Sequence, residues 1–302
     1  MRAILRLTVD TKAGPVWTGE VRLNEAWLTQ PLRWRRPRRI FVCAHADLFH
    51  PDVPDEWIDR VFAIMALAPQ HTFQVLTKRA ARMREYVLSR NEVRPDCPIT
   101  NAAFWSVAKP RGYKGNGGLC ARPLPNVWLG VSVEDKARAD ERIPDLLATP
   151  AAMRFISAEP LLGPVDLRRI RYEPHNPNPA PGPANPPQCL NALTGQTGSY
   201  AVGRWYRALT TFPGLDWVIA GGENGPRPMH PDWARSLRDQ CAAAGVPFLF
   251  KQWGEWAAPS PDCVPSASTT RPTAISRRCR PEPARSSVTA ARTVKSPSRT
   301  GA

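Results

Sequence analysis

Six short apolar segments, each followed directly by a polar or charged residue, constrain the fold of this chain more than any other feature. Each segment has four to seven residues and is rich in Val, Ile, Phe and Leu. Buried strands of a parallel sheet have this pattern, because both of their faces are covered. The predicted strands are Ile40–Ala44, Thr72–Leu76, Val127–Val133, Met153–Ile156, Trp217–Ala220 and Pro247–Phe250.

Helical patterns lie between these strands. The helices are expected from Pro54 with a stop at Pro69, over about 79–89, from Asp135 with a break at Pro144, and from Pro231 to a Gly245 cap. The alternation of strand and helix predicts an α/β fold with right-handed crossovers. Since six strands are too few for a closed eight-stranded barrel, we expect a partial or open (β/α) barrel. The first helix has an apolar stripe of Trp57, Val61, Ile64, Met65 and Ala68.

Polar and charged residues stand at the carboxyl ends of the predicted strands. Parallel α/β sheets place their binding and catalytic sites at this edge. We therefore predict a single pocket to which successive strands contribute, although the pattern does not identify what it binds. The candidate pocket residues are Asp47, Lys78, Glu134, Glu159, Gly221, Gly222, Glu223, Lys251 and Trp253.

The strand ends at Glu159 and at Gly221-Gly222-Glu223 admit two interpretations. Glycines let backbone amides approach a ligand, and two carboxylates on neighbouring strands can divide acid and base roles or orient a cationic ligand. Alternatively, the carboxylates neutralise Lys78 and Lys251 in a structural ion-pair network. The sequence favours neither interpretation and assigns no catalytic residue.

Tryptophan is abundant, with eleven copies in the chain. Trp253 and Trp256 follow the last predicted strand, where an indole can form a pocket wall, stack on a base or pack as part of the core. Four others fit helix stripes or strands and are predicted to pack in the core, namely Trp57, Trp128, Trp217 and Trp233.

The seven cysteines include no Cys-x-x-Cys pair, so the sequence predicts no metal site and favours reduced, unpaired thiols. No stretch approaches the roughly 18 apolar residues that a membrane span requires. The first residues are too briefly apolar for a secretory signal. We therefore expect a cytoplasmic protein that has no membrane partner.

The net charge of +15 is concentrated at the two ends of the chain. Residues 1–39 and 260–302 each carry +6, which leaves +3 for the residues between them. Basic ends can bind nucleic acid phosphates, or they can be solvated tails. The expected organisation is a basic N-terminal remnant over 1–39, the barrel over 40–257 with inserts at 91–125 and 168–212, and a disordered basic tail over 258–302.

Several strings resemble the phage gene-product 37/68 family, a group of uncharacterised phage and bacterial proteins. The resemblance covers about residues 15–257. It is carried by Ala-Asp-Leu-Phe-His-Pro-Asp-Val-Pro-Asp-Glu-Trp (46–57), Arg-Phe-Ile-Ser-Ala-Glu-Pro-Leu-Leu-Gly-Pro-Val (154–165), Asp-Trp-Val-Ile-Ala-Gly-Gly-Glu (216–223) and Pro-Phe-Leu-Phe-Lys-Gln-Trp-Gly-Glu-Trp (247–256).

Family members begin with a three-cysteine segment similar to the cluster loop of radical S-adenosylmethionine enzymes. The resemblance implies a partial (β/α) barrel, an iron–sulfur cluster on that loop and S-adenosylmethionine beside it. The present sequence has no such segment, so we expect a truncated chain that is missing its first strand-loop unit. No cofactor is expected for this chain, although an iron–sulfur cluster and S-adenosylmethionine are implied for full-length relatives.

Three functional hypotheses follow. The chain resembles a radical S-adenosylmethionine-like enzyme, but without cluster ligands it is expected to be inactive alone. The alternative is a noncatalytic module that binds nucleic acid through its basic ends and Trp253 and Trp256. The third is a degenerate remnant without a present function.

Overall fold

A six-stranded parallel sheet, curled into a half-barrel, is the centre of the structure. The computed structural model describes residues 8–12, 14–91, 109, 123–172, 188–201 and 204–255. The strands of the half-barrel are β3 (Arg39–Val42), β4 (Thr72–Thr77), β5 (Val127–Ser132), β6 (Met153–Ala158), β11 (Trp217–Gly221) and β12 (Phe248–Gln252). They lie side by side in that order, so the order of strands in space follows the chain. The predicted α/β open barrel and all six of its strands are confirmed.

Four helices connect these strands and cover one face of the sheet. They are α2 (Asp55–Leu67), α3 (Ala80–Asn91), α4 (Lys136–Ala148) and α5 (Pro231–Ala244). Alternate strand residues point to opposite faces of a sheet. Leu129, Val131 and Val218 therefore enter the core with helix residues such as Ile143 and Leu237. The intervening residues point to the inside of the half-barrel.

Two helical predictions need correction. In α2 the fully buried positions include Ile58 and Phe62, whereas Trp57 and Val61 are only partly buried. The predicted residues Ile64, Met65 and Ala68 are buried, so the stripe that meets the sheet is the predicted one widened by Ile58 and Phe62. Pro144 lies inside α4 and does not break it. Burial of neighbouring residues such as Ile143, Leu146 and Leu147 compensates for the hydrogen bond that a proline cannot donate.

A second, antiparallel sheet occupies the region predicted as an insert at 168–212. Its strands are β7 (Ile170–Tyr172), β8 (Gln188–Asn191), β9 (Gln196–Ala201) and β10 (Arg204–Thr211), in the spatial order β10-β9-β8-β7. β7 packs against α4. This sheet was not predicted, because its strands lack continuous apolar runs. The proline-rich segment 173–187, most of 91–125 and the predicted tail 258–302 lie outside the described residues.

The segment before the half-barrel also contains regular structure. A hairpin of β1 (Thr8–Thr11) and β2 (Gly14–Trp17) is followed by α1 (Glu25–Leu28) and a single 3-10 turn (Gln30–Arg33). The side chain of Glu25 in α1 pairs with Arg60 in α2. Within the part of the chain that the structure describes, no helix is both long enough and apolar enough to cross a membrane.

Candidate functional site

Asp47 joins the end of β3 to the end of β4. Its carboxylate accepts hydrogen bonds from Thr77 Oγ1 at 2.7 Å, from the backbone N–H of Lys78 at 3.1 Å and from Arg79 Nη1 at 2.9 Å. The backbone N–H of Phe49 adds a fourth at 3.0 Å. Because its oxygens already have these four donors, Asp47 fixes the connection between two strands and is not free to bind a ligand.

Glu134, at the end of β5, lies between two cations. Lys78 Nζ is 2.6 Å from Glu134 Oε1, and Arg142 Nη1 of α4 is 2.9 Å from Oε2. Burial by itself would raise the pKa of the Glu134 carboxyl, but the hydrogen bond from Lys78 and the charge of Arg142 outweigh it and the pKa is lowered. Glu134 is therefore a fixed anion at the rim of the half-barrel.

Glu159 reaches from β6 across β11 to β12. Lys251 Nζ lies 3.1 Å from Glu159 Oε2, and Ser157 Oγ donates to the same oxygen at 3.3 Å. The other oxygen, Glu159 Oε1, is buried and has no hydrogen-bond partner. A buried carboxylate oxygen without a donor costs free energy, and this atom packs closely against Gly221.

Gly221 explains how this contact across a strand is possible. It lies on β11, between the strands that carry Glu159 and Lys251, and a Cβ at this position would collide with Glu159 Oε1. Glycine therefore leaves the space that the Glu159 carboxylate occupies. Gly222 acts differently from the prediction, because its N–H donates to Gln252 O at 2.9 Å and its Cα packs against the backbone of Trp253. It permits the close approach of β12, and its amide is not available to a ligand.

Glu223 pairs with an arginine that the sequence analysis did not select. Arg227 Nε and Nη2 donate to the two Glu223 oxygens at 2.8 and 2.6 Å, and this lowers the pKa of the Glu223 carboxyl. The charge of Glu134 also acts on Arg227 and contributes to raising its pKa.

Trp253 is partly buried and packs against Phe250, with 4.7 Å between the ring centroids. Its role as a wall of the rim remains a prediction. Trp256 lies outside the described residues.

The inside of the half-barrel carries an aromatic floor that the sequence analysis placed in the core. The Trp217 ring meets Trp128 at 6.1 Å and Phe155 at 5.9 Å, measured between centroids. Both indoles remain only partly buried. Phe155 and Ser157 alternate along β6 and point to the same side, and the carboxylate of Glu159, which follows β6 directly, lies over Gly221. The spacing of two residues between these positions is the feature of the sequence that could have placed the aromatic floor and the charged rim on one side of the sheet.

The described cysteines do not form a cluster site. Cys43, Cys189 and Cys241 are free and lie in separate elements, and no group of three His, Cys, Asp or Glu side chains could hold a metal ion among the residues that the structure describes. Burial and, less strongly, the charge of Asp47 raise the pKa of the Cys43 thiol to about 11, and burial raises that of Cys241 to about 11. Both thiols are therefore protonated at neutral pH.

The structure brings the predicted residues together in pairs along one edge. Lys78 contacts Glu134, and Lys251 contacts Glu159. Glu223 pairs with Arg227, and Asp47 binds the backbone of the β4 end. Such pairs hold the strand ends at fixed spacing, and only the Glu159 pair combines a half-exposed cation with an unsatisfied acceptor.

Comparison with known protein families gives a match. A family model described as "Protein of unknown function (DUF5131)" matches residues 3–295, and the chain belongs to this family. No curated protein and no solved structure matches the chain.

Proposed function

We propose that this member of the family binds a small ligand with an amino-acid group, S-adenosylmethionine, on the inside of its half-barrel. The proposal extends the resemblance to the phage gene-product 37/68 family and to radical S-adenosylmethionine-like barrels. The observation that carries it is the pair of Glu159 and Lys251 at the rim, with Glu159 Oε1 unsatisfied.

The charges of this pair match the two charges of an amino-acid group. When the carboxylate rotates away from Gly221, a ligand ammonium would donate to Glu159 Oε1 and remove the cost of its missing donor. The Lys251 side chain is 57% exposed, so its ammonium can turn from Glu159 toward a ligand carboxylate. Both contacts would be charge-assisted hydrogen bonds, which are stronger than neutral ones.

The aromatic floor provides a second element of the proposed site. Trp128 and Trp217 are partly buried on the inside of the sheet and lie toward the amino ends of their strands. An adenine ring can stack on an indole, which contributes about 1–3 kcal/mol for a base. An amino-acid group at the rim and a base on the floor would lie on the same face of the sheet.

Radical chemistry would require three thiolates that hold an iron–sulfur cluster. The described cysteines cannot together hold an iron–sulfur cluster, because they lie in separate parts of the fold. The function proposed for the described residues is therefore binding, and no catalytic step is assigned to them.

Isothermal titration of the chain with S-adenosylmethionine tests the proposal. We expect saturable binding that Glu159→Gln weakens about tenfold or more, because a hydrogen bond to a charged group is lost. Glu141→Gln is the matched control, since Glu141 pairs with Arg138 on the surface of α4. The absence of binding to the unaltered chain, or equal binding by the Glu159 variant, would contradict the proposal.

A further inference from the structure

Five arginines just before and at the start of β3 form an exposed cluster without carboxylate partners among the described residues. Within seven residues the chain places Arg33, Arg35, Arg36, Arg38 and Arg39, and all five are exposed. No ion pair joins any of them to an Asp or Glu among the residues that the structure describes. We name this group the arginine cluster.

Most other described arginines are paired. Arg79, Arg82 and Arg90 bind carboxylates near α2 and α3, and Arg227 and Arg235 do so near α5. Much of the positive charge on the described helices is therefore compensated locally, whereas the arginine cluster has no such compensation. Uncompensated charge at one place on the surface attracts an anionic partner.

The backbone of the cluster is held in a fixed shape by His71, which is 1% exposed. His71 Nδ1 accepts from the N–H of Arg38 at 3.2 Å, and His71 Nε2 donates to Pro31 O at 2.9 Å. The C=O of Arg38 accepts from Thr72 N at 2.9 Å. A segment that is already ordered loses less conformational entropy when it binds.

Tryptophans accompany the arginines. The Arg38 guanidinium lies 4.6 Å from the centroid of the Trp34 ring, which orients that arginine. Trp27, in the neighbouring α1, is 54% exposed. The helix of Trp27 contacts the 3-10 turn that ends at Arg33, and an exposed indole offers a surface on which an unpaired base can stack. Arginine also binds phosphate through two parallel hydrogen bonds, which lysine cannot form.

We propose that the arginine cluster, with Trp27, binds single-stranded nucleic acid. The surface is separate from the ligand site proposed above. Arg39 begins β3 in register with Thr72, the first residue of β4, so the cluster lies at the amino ends of the strands. Trp253 follows the carboxyl end of β12 and does not share this surface.

Fluorescence anisotropy with a labelled oligothymidine tests this proposal in the full chain. Each phosphate contact on a single strand contributes about −0.7 to the slope of log affinity against log salt concentration. If each of the five arginines contacts one phosphate, we expect a slope of about −3.5. The double variant Arg35→Ala with Arg36→Ala should reduce the magnitude of this slope by about 1.4. Trp27→Ala should weaken binding roughly fivefold or more.

The matched control is the double variant Arg235→Ala with Arg238→Ala, which removes the same charge from exposed positions on α5. We expect it to leave the slope unchanged. Equal losses in the two double variants would show binding through net charge and overturn the proposal. Tighter binding to duplex than to single strand, or binding only to polyglutamate or to phosphatidylserine vesicles, would also overturn it.

Discussion

The backbone N–H of Arg38 donates a hydrogen bond of 3.2 Å to the buried imidazole of His71, 33 positions further along the chain. The other ring nitrogen, Nε2, donates to Pro31 O at 2.9 Å. Through these two hydrogen bonds, His71 holds both ends of the segment from Pro31 to Arg38 next to the start of β4. The ring also packs on Phe73 at 6.2 Å.

Replacement of His71 should therefore destabilise the fold. We expect His71→Ala to lower the free energy of unfolding by about 3 kcal/mol, because two hydrogen bonds and a packed ring are lost. Urea unfolding followed by circular dichroism measures this. His50→Ala is the control, since the more exposed His50 accepts one local hydrogen bond from Asp52 N. A stability loss no larger than that of the control would refute the expected role.

Glu134 should make the stability depend on pH. Its pKa is lowered in the folded protein, so its contribution is present above the pKa of the unfolded chain and is lost as pH falls through the folded value. We expect Glu134→Gln to cost about 2 kcal/mol at pH 7. The difference from the unaltered chain should shrink below about pH 4.5. Unfolding midpoints across this range measure it, and a constant difference would contradict it.

Gly221→Ala should be destabilising through Glu159. The new Cβ would collide with Glu159 Oε1, and we expect a loss of about 1–3 kcal/mol. In the double variant with Glu159→Ala the collision is absent, so most of the loss should disappear; a double-mutant cycle measures the coupling. Gly163→Ala is the control, because its nearest neighbour would be Asp135 Cβ at an ordinary 3.5 Å. Additive losses would exclude the proposed collision.

Cys43 and Cys241 should react slowly with iodoacetamide in the native protein. Since burial raises both pKa values from 9.0 to about 11, their thiolate fraction at pH 8 is about 100-fold smaller than in the unfolded chain. Mass spectrometry of peptides, with and without denaturant, measures the two rates. Rapid native labelling of either residue would show that its thiol is accessible.

The six strands of the half-barrel could be predicted because each is a short, continuous apolar sequence. The expectation that both faces are covered was wrong for β3, β4 and β12, which alternate between more and less buried residues. The end of each apolar run also marks the end of a strand, so the carboxylates and lysines that follow the runs could be assigned to the rim. The β8 strand, Gln-Cys-Leu-Asn, has no such signal, and its pairing with β7 and β9 depends on contacts across the chain. Strands of this kind are not visible from local sequence.

The partners of the rim residues could not be predicted for a different reason. Lys78 contacts a carboxylate on the adjacent strand, whereas Lys251 contacts one that lies two strands away. This difference depends on the missing side chain of Gly221. The exposure of the arginine cluster likewise depends on where acidic residues lie in space. Sequence position alone does not give that information.

The order of strands has a consequence for the behaviour of concentrated protein. An open sheet has two terminal strands, β3 and β12, and each has a paired neighbour on only one side among the strands that the structure describes. Phe41 and Leu249 are 45% and 44% exposed on these strands, a combination that invites polymerisation by strand addition. Arg39 and Lys251 give both borders positive charge. Repulsion between the positively charged edge strands of two molecules therefore opposes the pairing of one half-barrel with another.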